Sequence, residues 1–447
     1  MHIVIVAVGS RGDIQPCIAL GAALARAGCT VRLVAPAPFA PFVTGHGLDF
    51  AGLPLDPSGM LNGDVGREWV ESGRDPVAFI RGLGDLAGTL GEPLADAVLD
   101  GCAGADVIAY TTLAFPAWHV AQARGVPRAQ IGFAPLSPTA AFPPALLPDL
   151  FGANAARGRP ATGVLERAYH RAGHWLFSQM LWVPLRRRTN AWRASRLGTP
   201  ALGWRSPALR VDDAGEPLLA AFSPTVVPPP PDWGPHVTTT GYWFLDAPQG
   251  ARLTDAVEAF LASGPAPVSV GMGSMTGRDP ARVTEIVVEA LRRTGQRGLL
   301  LSGWAGLGAA VRESAQGDVE VLVADELPHD LLFPRVRAVV HHGGAGTTGA
   351  GLRAGAPTVV IPHFGDQPLW GDRVHAIGAG PPPIARRDLT ARRLAHAISA
   401  TVHDRRIREG AAAVGRAIAG ERGLAIAVDA ITRLAPGVTG GSGRPGR

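Results

Sequence analysis

The stretch RAVVHHGGAGTTGAGLRAGAPTVVIP (337–362) reads as one strand–turn–helix–strand unit. RAVVHH (337–342) is a short β-rich run of the length of a buried strand. A glycine-rich turn follows, a helix is expected to begin near Thr347 and stop at Gly355, and PTVVIP (357–362) supplies the next strand. Two strands joined through one helix are the repeating unit of a doubly wound α/β sheet. The turn also carries chemistry. Free N–H groups at a helix N-terminus, with its partial positive charge, bind phosphate well. Gly344, Ala345 and Gly346 are small enough to let an anion approach the backbone. Thr347 adds a hydroxyl and His342 a ring N–H. A glycine turn that merely ends a strand is the plainer alternative; the flanking His and Thr favour the phosphate.

The same alternation extends both ways from this unit. Ahead of it lie PVSVGMG (267–273), GLLLSG (298–303) and VEVLVAD (319–325), with helical stretches between. The first half repeats the pattern in HIVIVAVG (2–9), TVRLVAP (30–36), LDFAGL (48–53), DVIAYT (106–111) and AQIGFAP (129–135), with a helix expected over Ile14–Ala27. Between the halves, SPTVVPPPPDWGP (223–235) has four successive prolines, which favour a stiff extended connection. The chain therefore divides into a first domain over 1–222, a linker over 223–240 and a second domain over 241–400. Helices over 401–435 are expected to pack back toward the first domain, and the Gly- and Pro-rich tail 436–447 is expected to be disordered. Two such domains place an active site in the cleft between them.

Composition narrows the chemistry. With 447 residues, 46% hydrophobic and 18% charged, the chain is long enough for two cores. It contains no lysine, so all 42 basic residues are arginine, a bias expected of a GC-rich, actinomycete-like bacterial genome. Without lysine there is no Walker A phosphate loop and no pyridoxal phosphate Schiff base. No apolar run approaches the roughly 20 residues of a membrane span. The N-terminus runs straight into a strand instead of a leader, which points to the cytoplasm. Cys17, Cys29 and Cys102 are scattered without metal-type spacing, so neither disulfides nor zinc are expected. Arg186, Arg187 and Arg188 lie in a Trp-containing helical stretch and read as a solvated face; no nucleic-acid module accompanies them. D-x-D, a common metal-holding signature, is absent.

The loop GSRGDIQP (9–16), between the first strand and first helix, invites comparison with a nicotinamide site. That rival fails twice. Its glycines are spaced G-x-x-G instead of G-x-G-x-x-G, and strand 30–36 ends in Ala35-Pro36 where an acidic residue would bind the ribose.

HHGGAGTT (341–348) followed by IPHFGDQPLWGDRV (361–374) closely resembles the donor signature of family 1 glycosyltransferases of the two-domain GT-B fold. The sterol-type glucosyltransferases and the actinomycete antibiotic glycosyltransferases are the most similar branches. GSRGDIQP (9–16), AFSPTVVPPPPDW (221–233), GYWFLD (241–246) and GPPPIARRDL (380–389) extend the resemblance over nearly the whole chain. It implies that the first domain holds the acceptor and the second a nucleotide-sugar donor. His342, Gly344, Ala345, Gly346 and Thr347 would then hold the donor diphosphate, with Ser274 of GMGSM (271–275) adding a hydroxyl. Asp366 and Gln367 would bind the sugar, since a carboxylate and an amide together satisfy several polyol hydroxyls. The base would rest near Val323 and Leu327, with Trp304 of SGW (302–304) for stacking, because ADELPHD (324–330) lacks the aromatic that many relatives place there.

Many members of the family use a histidine in the first loop as base; here that position is Asp13, as in glycopeptide and sterol-type members. The competing reading of Asp13 is an N-cap for a helix beginning at Ile14. Ser10, Arg11 and Gly12 would line the donor–acceptor junction. Phe133, Phe142, Trp175 and Trp182 are candidates for an apolar acceptor pocket. The implied reaction is an in-line displacement with inversion: Asp13 takes the acceptor proton as its oxygen attacks the anomeric carbon, without metal or other cofactor. UDP-glucose and a dTDP-deoxysugar are the alternative donors; sterols, polyketides and other natural-product aglycones are the alternative acceptors. A nucleotide-sugar epimerase and a non-catalytic partner protein are the rival functions. The first should display groups arranged to abstract a sugar proton, and the second should have lost the donor motifs.

Overall fold

The structure, a computed structural model, describes residues 1–57, 76–144, 161, 163–273, 280–303, 319–363 and 365–435. The expected tail 436–447 and the candidates Ser274 and Trp304 lie outside the described residues.

Seven strands form the first sheet: β1 (His2–Val6), β2 (Thr30–Pro36), β3 (Asp49–Leu53), β4 (Val107–Thr111), β5 (Arg128–Gly132), β6 (Leu218–Ala220) and β7 (Val237–Thr239). Their order is β3-β2-β1-β4-β5-β6-β7, and every pairing is parallel. A parallel sheet needs cover on both faces, and the alternation along β1 supplies it. Ile3 and Ile5 pack with Ile14, Ile18 and Leu33 on one side; Val4 and Val6 pack with Val34, Tyr110 and Trp118 on the other. The second sheet comprises β8 (Val268–Gly271), β9 (Gly298–Leu301), β10 (Val321–Ala324), β11 (Ala338–His341) and β12 (Thr358–Val360), in parallel order β10-β9-β8-β11-β12. Both sheets reverse strand order beside their first strand, so the carboxyl edges beyond β1 and β8 are where ligands are expected.

The helices that position the site are α1 (Arg11–Arg26), α2 (Pro76–Gly101), α3 (Val164–Trp192), α4 (Pro280–Thr294), α5 (Ala345–Arg353), α6 (Gln367–Ala376), α7 (Ala391–His403), α8 (Arg405–Ala419) and α9 (Gly423–Thr432). Helix α1 starts at Arg11, not Ile14. Ser10 is its N-cap residue, so Asp13 sits in the first turn and is not the cap.

The stretch 223–240 is not wholly a linker. Its residues Val237–Thr239 are β7, held beside β6 in the first sheet, so three β-prone residues are captured as an edge strand. The segment is also packed at the domain boundary. Phe222, Val226 and Val227 share a cluster with Leu352, Trp370 and Val374 of the second domain. The chain then returns: Ala427 and Ile431 of α9 are buried in the cluster that holds Ile14 and Ile18 of α1.

Candidate active site

Strand β1 leaves the sheet at Ala7 and reaches α1 through Gly9 and Ser10. Gly9 adopts φ +145°, and a Cβ there would fall 2.2 Å from Asp13 Oδ2. Glycine is required at this point so that the carboxylate can fold back over the turn. Asp13 Oδ2 accepts the Ser10 N–H at 2.8 Å and the Ser10 hydroxyl at 3.3 Å. Its Oδ1 takes no hydrogen bond among the described residues. Desolvation pushes the Asp13 pKa up to about 6; the Ser10 backbone hydrogen bond opposes the rise, and the charge of Asp366 adds to it. Asp366 belongs to the second domain, so the Asp13 carboxyl feels a charge from across the cleft.

On the second domain, β11 ends at His341 and the chain turns through Gly343 and Gly344 into α5. Gly344 is the N-cap residue; Thr348 N–H makes the first bond of the helix to its carbonyl, and the Thr348 hydroxyl occupies the same oxygen. The N–H groups of Ala345, Gly346 and Thr347 and the Thr347 hydroxyl have no acceptor among the described residues, leaving a cluster of donors at the positive end of the helix. His342 stands beside them. A Cβ on Gly344 would lie 2.7 Å from its Nε2, and one on Gly273 would lie 3.0 Å from its Cε1, so the ring fits only between two glycines. Burial lowers the His342 pKa to about 4, with the Gly271 carbonyl pulling the other way. The imidazole is therefore neutral near pH 7, a hydrogen-bond donor without charge. His341 is wholly buried, and its Nδ1 accepts the Gly343 N–H at 2.9 Å, fixing the turn from beneath.

The sugar-binding candidates divide. Asp366 precedes α6, and its Oδ2 accepts the Trp370 indole N–H at 2.7 Å, which aims the carboxyl. Burial raises its pKa. Gln367 is only 5% exposed, and its Oε1 accepts the His363 N–H at 2.8 Å. That bond commits the amide oxygen to holding the loop. Of the base-side candidates, Val323 is exposed at the end of edge strand β10, whereas Leu327 is buried in the second domain's core and offers its backbone alone.

Arg11 crosses the cleft to form an ion pair with Glu326, and its guanidinium lies 5.2 Å from the Phe42 ring centroid. Gly12 is exposed beside it. Sequence reasoning gave no role to three residues that share this space. His329 stacks on Phe333 at 4.3 Å, and burial, then the Arg11 charge, lowers its pKa to about 4. His363 is lowered to about 3 by burial and next by Arg386. Glu326 is the third. All lie inside motifs already quoted, ADELPHD and IPHFGDQ, but only the fold pairs Glu326 with Arg11 across the cleft.

The apolar acceptor set does not hold together. Trp175 is 53% exposed on α3. Trp182 is buried in the first domain's core, with its indole donating to the Gly203 carbonyl at 3.0 Å. Phe142 packs edge-on against Trp233, and Phe133 against Trp243.

Among the described residues, no group of His, Cys, Asp and Glu is arranged to hold a metal ion, and no helix is long and apolar enough to cross a membrane.

Comparison with known proteins agrees with this geometry. Residues 3–129 match the glycosyltransferase family 28 N-terminal domain, and residues 312–423 match the erythromycin biosynthesis protein CIII-like C-terminal domain. The sterol 3-beta-glucosyltransferase UGT80B1 of Arabidopsis thaliana is 32% identical over 98% of this chain and 68% of its own length. UGT80A2 of the same plant is 34% identical over 98% of this chain and 66% of its own. The sterol 3-beta-glucosyltransferase of Yarrowia lipolytica is 34% identical over 97% of this chain but only 29% of its own length. The chain thus spans about two thirds of the plant relatives and under a third of this fungal one. Among solved structures, the glycotransferase of kitacinnamycin superposes with a TM-score of 0.65 at 22% identity, covering 97% of this chain and 99% of that one. SnogD from Streptomyces nogalater gives 0.63 at 18% identity, covering 98% and 100%. Two parallel α/β domains, family models matched in both halves and 32% identity over 98% of this chain and 68% of a relative lead to one conclusion: the chain belongs to the sterol 3-beta-glucosyltransferase family of GT-B glycosyltransferases.

Proposed function

We propose that the chain transfers a sugar from a nucleotide diphosphate to a hydroxyl of an apolar acceptor, with glucose and a sterol-like alcohol as the first pair to test. The observation that carries this reading is the set of open N–H groups that begins α5 beside His342, with the Asp13 loop brought to the same cleft by the Arg11–Glu326 ion pair. Asp366 is suited to hydrogen-bond the sugar, the α5 N–H groups and His342 to hold the diphosphate, and Val323 with the backbone near Leu327 to support the base. Gln367 acts in this scheme by holding the His363 turn. At pH 7 a carboxyl with a pKa near 6 is roughly nine-tenths ionised, so Asp13 is ready to accept the acceptor proton. An alcohol is a poor acid, so the proton moves late, as the oxygen attacks the anomeric carbon and the diphosphate leaves. Attack from the first domain on a sugar held by the second is in-line and inverts the centre, turning an α-linked donor into a β-glycoside. Neutral His342 and the helix end stabilise the leaving group.

The names of the sterol glucosyltransferase relatives point to glucose as the sugar, so UDP-glucose is the first donor to test, and the structural likeness to VinC, solved in complex with dTDP, keeps dTDP-sugars as the second donor class. The test is thermal-shift screening against UDP, dTDP and their sugars, followed by turnover of UDP-glucose with sterol and polyketide alcohols. Protection by a nucleotide and a β-glycoside product support the reading. An epimerised donor in the absence of acceptor would replace it with the epimerase, and absence of nucleotide protection would leave a non-catalytic partner protein.

A further inference from the structure

Helix α3 (Val164–Trp192) turns Trp182 and Trp192 into the first domain's core. It is tied to the loop after β5 by His170 Nδ1 to the Ala140 carbonyl at 2.9 Å and His174 Nε2 to the Phe142 carbonyl at 3.0 Å. Part of its remaining surface is apolar and open. Val164, Leu165, Trp175, Leu176 and Val183 are all exposed, and helical spacing sets them in one stripe roughly 30 Å long. The stripe continues past the helix. The Trp204 carbonyl accepts from Gln179 at 3.0 Å, and its indole, 66% exposed, lies beneath the Arg186 guanidinium at 3.9 Å from the ring centroid.

The helix carries Arg167, Arg171, Arg186, Arg187 and Arg188 but a single carboxylate, Glu166, which is buried. Arg171 is paired with Asp232 and Arg188 donates to the Gly84 carbonyl, so Arg186 and Arg187 are the cations set beside the apolar residues. An ordinary solvated helix face mixes signs and carries few large apolar side chains. Exposed tryptophans beside arginines, on the outside of a helix with almost no acid, match the headgroup region of an anionic bilayer.

We propose that Trp175, Leu176, Val183 and Trp204, flanked by Arg186 and Arg187, form a docking surface for an anionic lipid bilayer, with α3 lying along the headgroups. A second copy of the chain fits less well, since it would bring arginine rows of the same sign together. A surface contact of this kind needs no membrane-spanning segment. It would also set the loop after β5, at the ligand edge of the first sheet, near the lipid from which an apolar alcohol is drawn. That link to acceptor supply rests on the proposed function; the docking itself does not.

The test is sedimentation of the full chain, without donor or acceptor, with vesicles of phosphatidylcholine alone or doped with phosphatidylglycerol. Binding is expected to the doped vesicles, weakening with salt. L176S/V183S/W204S is expected to cut partitioning by about tenfold or more, and R186Q/R187Q by about fivefold per arginine. Both variants should keep the thermal midpoint of the wild type and its turnover of detergent-dispersed acceptor. Wild type that ignores anionic vesicles, or variants that bind them undiminished, would overturn the proposal. So would a concentration-dependent dimer that the variants dissolve, which would assign the face to a second copy. Vesicle binding without turnover would refute the proposed function and leave this surface standing; turnover without vesicle binding does the reverse.

Discussion

Replacing Asp13 with Asn should make the protein inactive and more stable at once. In the folded chain the Asp13 carboxyl titrates at about 6, whereas an ordinary Asp does so near 3.9. Holding it ionised at pH 8 therefore costs on the order of 2 kcal/mol, after allowing for its partial contact with solvent. Asparagine removes the charge while its amide oxygen can still accept from the Ser10 N–H. D13N is thus expected to melt about 4–8 °C higher at pH 8 if the first domain unfolds alone, and about half that if both domains unfold together. Because the folded pKa is raised, the protonated wild type has its full stability below the unfolded value and loses it as pH rises through 6. The gap between the two proteins should therefore shrink from pH 8 to pH 5 and vanish near pH 4. Turnover should fall by about 100- to 10,000-fold, the usual reach of a general base. Calorimetry at several pH values, paired with a product assay, checks both halves. D13N no more stable than wild type at pH 8, a gap that stays flat to pH 5, or retained turnover would each refute the reasoning.

Asp366→Asn removes a charge that holds the Asp13 pKa up, so the acid limb of the kcat/KM profile should move to lower pH. The donor KM should rise by roughly 10- to 100-fold through lost sugar hydrogen bonds, while D366N binding free UDP should be nearly unchanged. His342→Ala should weaken UDP by about 10- to 100-fold in a titration calorimeter. Wild-type UDP affinity should change little through His342 between pH 8 and pH 5.5, because that ring stays neutral down to about 4. Gly9→Ala would press a methyl group onto the Asp13 carboxylate, and a loss of both activity and about 1–3 kcal/mol of stability is expected in denaturant melts. Turnover measured in excess chelator should equal that with added magnesium; full dependence on the ion would contradict the proposed mechanism.

The fold was legible because its signals are local. Buried parallel strands favour Val, Ile and Leu, and ten of the twelve described strands coincide with runs quoted from the sequence, although β3 and β5 are poorer in those residues. The two that escaped, β6 and β7, have three residues each and exist because a neighbouring edge was open to them. The donor turn was legible for the same reason, since glycines, His342 and Thr347 occupy one short segment. The start of α1 differs from the expected Ile14 because Arg11 and Gly12 are indifferent N-terminal residues, and the cap weighed as the alternative role of Asp13 falls to Ser10. Residues whose role depends on the opposite domain were not legible. The partners Arg11 and Glu326 lie far apart in the chain, and nothing local in ADELPHD says that His329 faces Arg11. The acceptor set failed because aromatic residues look alike in sequence whether they line a pocket, fill a core or face outward, and Trp182 and Trp175 are the last two cases.

The return of α9 to the first domain has a consequence for how the molecule is divided. A cut after Thr240 separates the polypeptide but not the folded bodies, since Ala427 and Ile431 would leave a greasy slot open on α1. Halves made from such a cut should reassociate, and the N-terminal piece alone should be sticky until the last helix is grafted back. Two passages of chain between the bodies, with Glu421 bonded to Ser223 and Thr225 where they meet, also behave like a door on two pins. Two points of attachment oppose rotation about every axis but the line through them, so any opening of the cleft is expected to be a hinge about that line.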